Sequence, residues 1–169
     1  IFIMTSNLGA SEAIKEAKKI PSLTHLPLES YSLDDILSLI LSEKIEPTFD
    51  PDQLTALIDY PASQAALSET ETYPDGTVVG QRFELYFNRL ELANGYWELK
   101  DAKEQRRRLL EQQEHRRLLG KELLPIDLYF LHALEKGLPP CCGVAVGVDR
   151  LILLEAQAPT LASIQPIAW

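Results

Sequence analysis

The chain has 169 residues, 46% of them apolar, and a formal net charge of −9. That length allows one domain, or one and a small part of another, and no apolar run approaches the ~18 residues of a membrane-spanning helix. The acidic balance excludes a protein that holds nucleic acid chiefly by neutralising its backbone, although a nucleotide site can still be locally positive.

Cys141 and Cys142 are adjacent and are the only two cysteines. A disulfide framework or a zinc site needs separated ligands, so reduced thiols in the cytoplasm are expected. The opening IFIMTSNLGA lacks the basic start and long apolar run of a secretory leader, and none is expected. Ile1 precedes the only methionine, Met4, so residue 1 is expected to be an interior position of a longer polypeptide.

Two short helices are predicted first, over Ser11 to Ile20 and Leu33 to Ile45. Asn7 or Ser11 suits the cap of the first, and Pro21 follows its end. Ser32 with Asp35 caps the second, whose Leu33, Ile36, Leu37, Ile40 and Leu41 form an apolar stripe at helical spacing. These helices are expected to form a small lobe, residues 1–50, inserted between the earlier and later halves of a sheet, with residues 51–169 carrying the later, C-terminal part. His25, between leucines and prolines, reads as incidental or structural rather than as a ligand.

Gln53 to Tyr60 reads as a buried strand ending at Pro61, PASQAALS as irregular, and YPDGT as a turn. A long strand follows, Val78 to Phe87, joined to a second by a two-residue turn at Asn88-Arg89. Antiparallel pairing then sets Tyr86 opposite Glu91, Leu85 opposite Leu92 and Glu84 opposite Ala93. Alternation puts Leu85, Phe87, Leu90 and Leu92 on one face, expected to be core, and Glu84, Tyr86, Glu91 and Ala93 on the other. Glu84 and Glu91 become diagonal neighbours, roughly 7–8 Å apart at the backbone. Such a pair is most often simply solvated, but it also suits a divalent cation held by one or two carboxylates and by substrate phosphates. Past Ala93, strict alternation would bury Glu98 unpaired, which is costly. A bulge at Asn94-Gly95 is therefore expected, turning Asn94, Tyr96 and Glu98 toward the same side.

A helix is predicted from Asp101 to Gly120. Its Arg106, Arg107, Arg108, Arg116 and Arg117 interleave with Glu104, Glu111 and Glu114, so a solvated mixed-charge face is expected. An arginine-lined surface for an acidic protein partner is the alternative. Leu109, Leu110, Leu118 and Leu119 are expected to supply apolar contacts. Another helix, Pro125 to Lys136, carries His132, expected to be packed rather than catalytic. Thr160 to Ile164 reads as a last helical turn.

In GVAVGVDRL, Gly143, Ala145 and Gly147 alternate with Val144, Val146 and Val148. One face of this strand is expected to be bare, open to close approach by a ligand or another backbone, and the valine face to pack. Asp149 is expected to cap a helix beginning near Arg150, whose guanidinium suits phosphate. Together the two runs suggest a nucleotide triphosphate with its metal.

These runs carry a resemblance. GVAVGVDRL at 143–151 resembles motif 3 of the class II aminoacyl-tRNA synthetases. ELANGYWEL at 91–99, PASQAALS at 61–68 and PIDLYFLHALEKGLPPCC at 125–142 resemble the lysyl-tRNA synthetase family, above all its truncated branch that lysylates elongation factor P. The resemblance runs from about Asp59 to the C-terminus. It implies an α+β fold, the C-terminal half of a class II catalytic core: an antiparallel sheet with flanking helices. Motifs 1 and 2 are not recognisable, so the chain alone is expected to be catalytically incompetent and the parent protein a homodimer.

The resemblance further implies Mg2+ on Glu84 and Glu91. For ATP it implies Glu84, Glu91, a backbone contact at Leu92, close approach at Gly147, and Arg150. Arg150 and Glu91 would be catalytic, and Asn94, Tyr96, Glu98 and Ala145 would hold lysine or (R)-β-lysine. Ala145 stands where tRNA-charging members typically have glycine, which favours elongation factor P over tRNA as acceptor. Tyr96-Trp97 departs from the usual pair and bears on fine selectivity. The alternatives are a lysyl-tRNA synthetase and a non-catalytic synthetase-like binding module. Glu84, Glu91, Glu98 and Arg150 together argue against the last.

Overall fold

The computed structural model describes residues 2–3 and 9–165. Its strands are β1 (Phe2–Ile3), β2 (Thr55–Pro61), β3 (Thr70–Thr72), β4 (Val78–Phe87), β5 (Leu90–Trp97) and β6 (Cys142–Val146). Five follow the order β1-β2-β4-β5-β6, and β3 pairs with the start of β4. The β1-β2 pair is parallel, so the sheet is not wholly antiparallel; the other pairings are antiparallel.

The β4-β5 hairpin closes at Asn88-Arg89 as expected. Both residues have positive φ, 48° and 60°, the primed turn whose twist matches that of the flanking strands.

The helices are α1 (Ala10–Ala17), α2 (Leu33–Ile40), α3 (Ala102–Leu118), α4 (Leu128–Glu135) and α5 (Val148–Glu155). α2 has the predicted capping box of Ser32 and Asp35 and runs on through a wider π-helical turn, Leu41–Ile45. α3 is capped by Asp101, which accepts from the amides of Lys103 and Glu104, and Gly120 follows it at φ +63°. Two starts differ from expectation. Gly9 takes the cap position of α1, while Asn7 lies outside the described residues. α4 begins only at Leu128, because Asp127 accepts from the Phe130 amide and caps it there.

Ala13, Ala17, Ile20, Leu23, Leu28, Ile36 and Leu37 form one buried cluster around α1 and α2. Leu41, Phe49, Leu57, Tyr60 and Tyr86 form a second, where the segment after α2 lies on the sheet. The second cluster reverses an expectation. Tyr86 (4% exposed) and Glu84 (7%) are buried, whereas of the expected core face only Leu92 (9%) is buried and Leu85, Phe87 and Leu90 are half-buried. Phe49 meets Tyr86 edge-on, with ring centroids 5.3 Å apart, so it is the face of the carboxylates that is closed over.

Elsewhere apolar side chains stay open. Val144 and Val146 do not pack, and Leu110, Leu118, Leu119 and Tyr129 are exposed as well. His132 is exposed rather than packed, with Glu135 at 4.0 Å. The arginines of α3 pair along their own helix, Arg107 with Glu104 and Glu111, Arg108 with Glu104, and Arg117 with Glu114. The mixed-charge reading holds. Glu104, between two guanidiniums, is held at a pKa of about 2.

Candidate active site

Two irregularities decide which side chains face the site. β4 pairs with β5 as Phe87↔Leu90 and Tyr86↔Glu91, then as Leu85↔Ala93, Glu84↔Asn94 and Arg82↔Tyr96. Leu92 is therefore the extra residue, and the bulge lies there rather than at Asn94-Gly95. Gly95 answers another need: a Cβ there would collide with the ring of Phe83 opposite. The outcome for the site is the expected one, since Asn94 comes opposite Glu84 and Tyr96 opposite Arg82.

The second irregularity is on β2. The register passes from Leu57↔Glu84 and Ile58↔Phe83 to Tyr60↔Gly80. Asp59 absorbs the shift at φ +59° and accepts a hydrogen bond from the Tyr73 hydroxyl at 2.7 Å. Without it Tyr60 would turn away. With it the Tyr60 ring lies under the Arg82 guanidinium, 4.3 Å from its centroid.

Arg82, Glu84 and Tyr86 follow one another on this face. Arg82 Nη2 donates to Glu84 Oε1 at 2.5 Å, and the Tyr86 hydroxyl donates to Glu84 Oε2 at 2.6 Å. Arg82 Nε also donates to Asn94 Oδ1 at 3.3 Å, and Asn94 Nδ2 stands 3.5 Å from Glu84 Oε1. Burial, reinforced by Glu84, pushes the Tyr86 hydroxyl far above its usual range, so it stays a donor. Burial also raises Tyr60, whose hydroxyl is enclosed within the field of Glu84 yet meets no partner in hydrogen-bond geometry.

Glu46, from the turn after α2, stands 3.5 Å from the Tyr86 hydroxyl. Burial raises its pKa, the Tyr86 hydroxyl opposes this, and the charges of Glu84 and Glu91 raise it further. Three carboxylates thus surround Tyr86. Among the described residues no group of three or more His, Cys, Asp and Glu could hold a metal ion. A cation here would need oxygens from a ligand beside Glu84 and Glu91, which is how Mg2+ is usually held.

β6 pairs Ala145 with Asn94 and Gly143 with Tyr96, so the small residues share the face of Asn94 and Tyr96. The carboxylate of Glu98 fills the space a Cβ on Gly143 would take. After β6 the Gly147 amide donates to the Leu92 carbonyl at 2.8 Å, so that carbonyl is already engaged. Gly147, not Asp149, is the cap residue of α5, without a side-chain bond, and Asp149 lies inside the first turn. Helix and strand meet two residues earlier than expected because Gly147 turns the chain. Arg150 Nη1 donates to the Glu91 carbonyl at 2.6 Å and lies 3.5 Å from Glu91 Oε2. A Cβ on Gly147 would stand 3.2 Å from Arg150 Cδ.

Glu84, Glu91, Asn94, Tyr96, Glu98, Ala145 and Arg150 therefore share one side of the sheet. Arg82, Tyr60 and Glu46 join them unannounced. Arg82 was legible in principle, two residues before Glu84 on the same strand. Glu46 carried no signal, because only the tertiary fold brings it there.

The sequence profile described as "tRNA synthetases class II (D, K and N)" matches residues 12–166. The chain is 39% identical over 158 residues to the elongation factor P--(R)-beta-lysine ligase of Hamiltonella defensa, covering 93% of this chain and 48% of that protein. It is 44% identical over 124 residues to the ligase of that name from Pseudoalteromonas translucida (73% and 38%), and 42% over 143 residues to that of Proteus mirabilis (85% and 43%). The chain spans a little under half the length of these relatives.

Proposed function

Because the chain belongs to the class II tRNA synthetases of the D, K and N type, we propose that the protein carrying it activates lysine or (R)-β-lysine with ATP and passes it to a lysine of elongation factor P. The relatives named above are ligases of that kind. The supporting observation is that the carboxylates of β4 and β5, the glycine-lined strand β6 and Arg150 occupy one face.

In the first step an amino-acid carboxylate oxygen attacks the α-phosphorus of ATP. A P–O bond forms, the bridging bond to the β-phosphate breaks, and pyrophosphate leaves. In the second the acceptor amine attacks the carbonyl carbon of the adenylate and AMP leaves. No protein nucleophile is needed, and this chain contributes positioning and charge. Arg150, fixed on Glu91, would face the phosphates, and Gly147 would leave room for the nucleotide. Leu92 contributes backbone beside it. Asn94 and Tyr96 would flank the amino acid, Glu98 would meet its distal amine, and Ala145 would shape the pocket floor.

Glu84 and Glu91 present an oxygen-only donor set that fits Mg2+. When bound, the ion would supply charge neutralisation for the phosphates. The protein is read as a cytoplasmic homodimer. Among the described residues no helix is long and apolar enough to cross a membrane.

The test is ATP–pyrophosphate exchange by the full-length protein with lysine and with (R)-β-lysine, followed by transfer of labelled amino acid to elongation factor P and to tRNA in parallel. Amino-acid-dependent exchange and a labelled protein are expected. Labelling of tRNA alone would replace the acceptor, and no exchange with either amino acid would overturn the reaction.

A further inference from the structure

Arg82 is a cation with an unusual set of neighbours. Its three nitrogens point to three different acceptors: Glu84 Oε1 at 2.5 Å, Asn94 Oδ1 at 3.3 Å and the Gln64 carbonyl at 3.4 Å. Two aromatic rings flank it, Tyr60 at 4.3 Å and Tyr96 at 5.8 Å. Its side chain is 19% exposed and that of Glu84 9%. Neither charge would be tolerated alone at such burial, and an arginine can satisfy several acceptors in one plane where lysine cannot.

The Gln64 loop is itself anchored. Asp34 at the start of α2 accepts from the Ser63 hydroxyl at 2.7 Å and from Gln64 Nε2 at 3.3 Å. On the other side Arg108 of α3 donates to the carbonyls of Ala65 and Ser68 at 3.2 and 2.7 Å. Ser68 pairs with Glu98 as an isolated bridge. The guanidinium therefore meets a braced loop, a carboxylate of the metal-facing pair and two residues of the amino-acid side.

We infer that Arg82 is a positioning residue that sets Asn94 and Tyr96 against Glu84, so that one side chain registers the amino-acid pocket to the nucleotide pocket. The inference rests on the adenylation reading above. It assigns Arg82 no contact with substrate.

The full-length protein is compared with Arg82→Met and Arg82→Lys by pyrophosphate exchange, varying amino acid and Mg2+ separately, with thermal unfolding of each variant. Arg82→Met is expected to raise the amino-acid KM about tenfold or more, the effect of losing bonds to a charged donor, and to raise the Mg2+ requirement. Arg82→Lys keeps a cation beside Glu84 but cannot also hold Asn94, so the Mg2+ response should return while the amino-acid KM stays raised. That split is not what a merely structural arginine would show. Should Arg82→Met fail to fold, Arg82→Lys decides alone: the same split supports the inference, and both constants unchanged, or both changed together, overturn it. Normal exchange by the parent protein with unaltered variants sinks only the role of Arg82; no exchange by the parent removes the reaction and this role with it.

Discussion

The Glu98 carboxylate occupies the volume that a side chain at Gly143 would need: Oε1 lies closer to an ideal Cβ at position 143 than real Cβ atoms come to a neighbour. Glycine at this point of β6 is what lets Glu98 lie over the strand. Gly143→Ala should therefore displace Glu98 while leaving the β5-β6 ladder paired. A misplacement of about 1 Å typically costs on the order of a hundredfold in rate. Amino-acid-dependent exchange should drop by that order while the ATP dependence stays near wild type. An unchanged amino-acid KM would show that Glu98 does not face the substrate.

Arg150 is held from below by the Glu91 carbonyl at 2.6 Å. On the proposed reading Arg150→Ala removes a preoriented donor to the phosphates, for which losses of about 10²–10³ in kcat are usual. The thermal midpoint should hardly move, because the pair with Glu91 is partly exposed. Exchange at wild-type rate would remove Arg150 from the site.

Glu46 gives a pH signature. Its carboxyl is raised above its ordinary value of 4.5 by burial and by Glu84 and Glu91. Between 4.5 and the raised value the folded state binds more protons than the unfolded one, so stability falls as pH rises through that window. Glu46→Gln should flatten this decline and be the more stable form at pH 7, as read by urea unfolding at several pH values. An identical pH profile in the variant would exclude the effect.

Arg89 occupies the left-handed region at φ +60°, a conformation that costs a non-glycine residue about 1 kcal/mol or more. Arg89→Gly, giving the preferred Asn-Gly turn, should stabilise the hairpin by up to about 1 kcal/mol, since glycine's greater unfolded-state entropy offsets part of the gain. Calorimetry of the two proteins decides the sign.

Much of this was legible in the sequence because local chemistry decides it. The Asn88-Arg89 turn, the Asp101 cap and the span of β4 follow from turn residues, a side-chain acceptor and alternation. The bulge was expected from the right cause, the cost of burying Glu98, yet read two residues late, since Gly95 looks like a bulge marker and is instead a gap for Phe83. The buried side of the sheet was misread because Phe49, Tyr60 and Tyr86 close over the carboxylates from 2, 2 and 4% exposed positions, and alternation alone cannot say which face a distant segment will cover. Glu46 and Tyr60 reach the site through the turn after α2 and the kink at Asp59, neither of which leaves a periodic trace.

Leu92 makes β5 change parity. On its hairpin side, odd positions share the face of Glu84; beyond it, even positions do. Removing one residue between Glu91 and Asn94 would let β4 and β5 pair without the bulge and leave Asn94, Tyr96 and Glu98 on the side of Glu84. The bulge is thus what lets a strand with one residue in excess keep both of its ends on a single side, and only a regular ladder that retained every residue of β5 would split them.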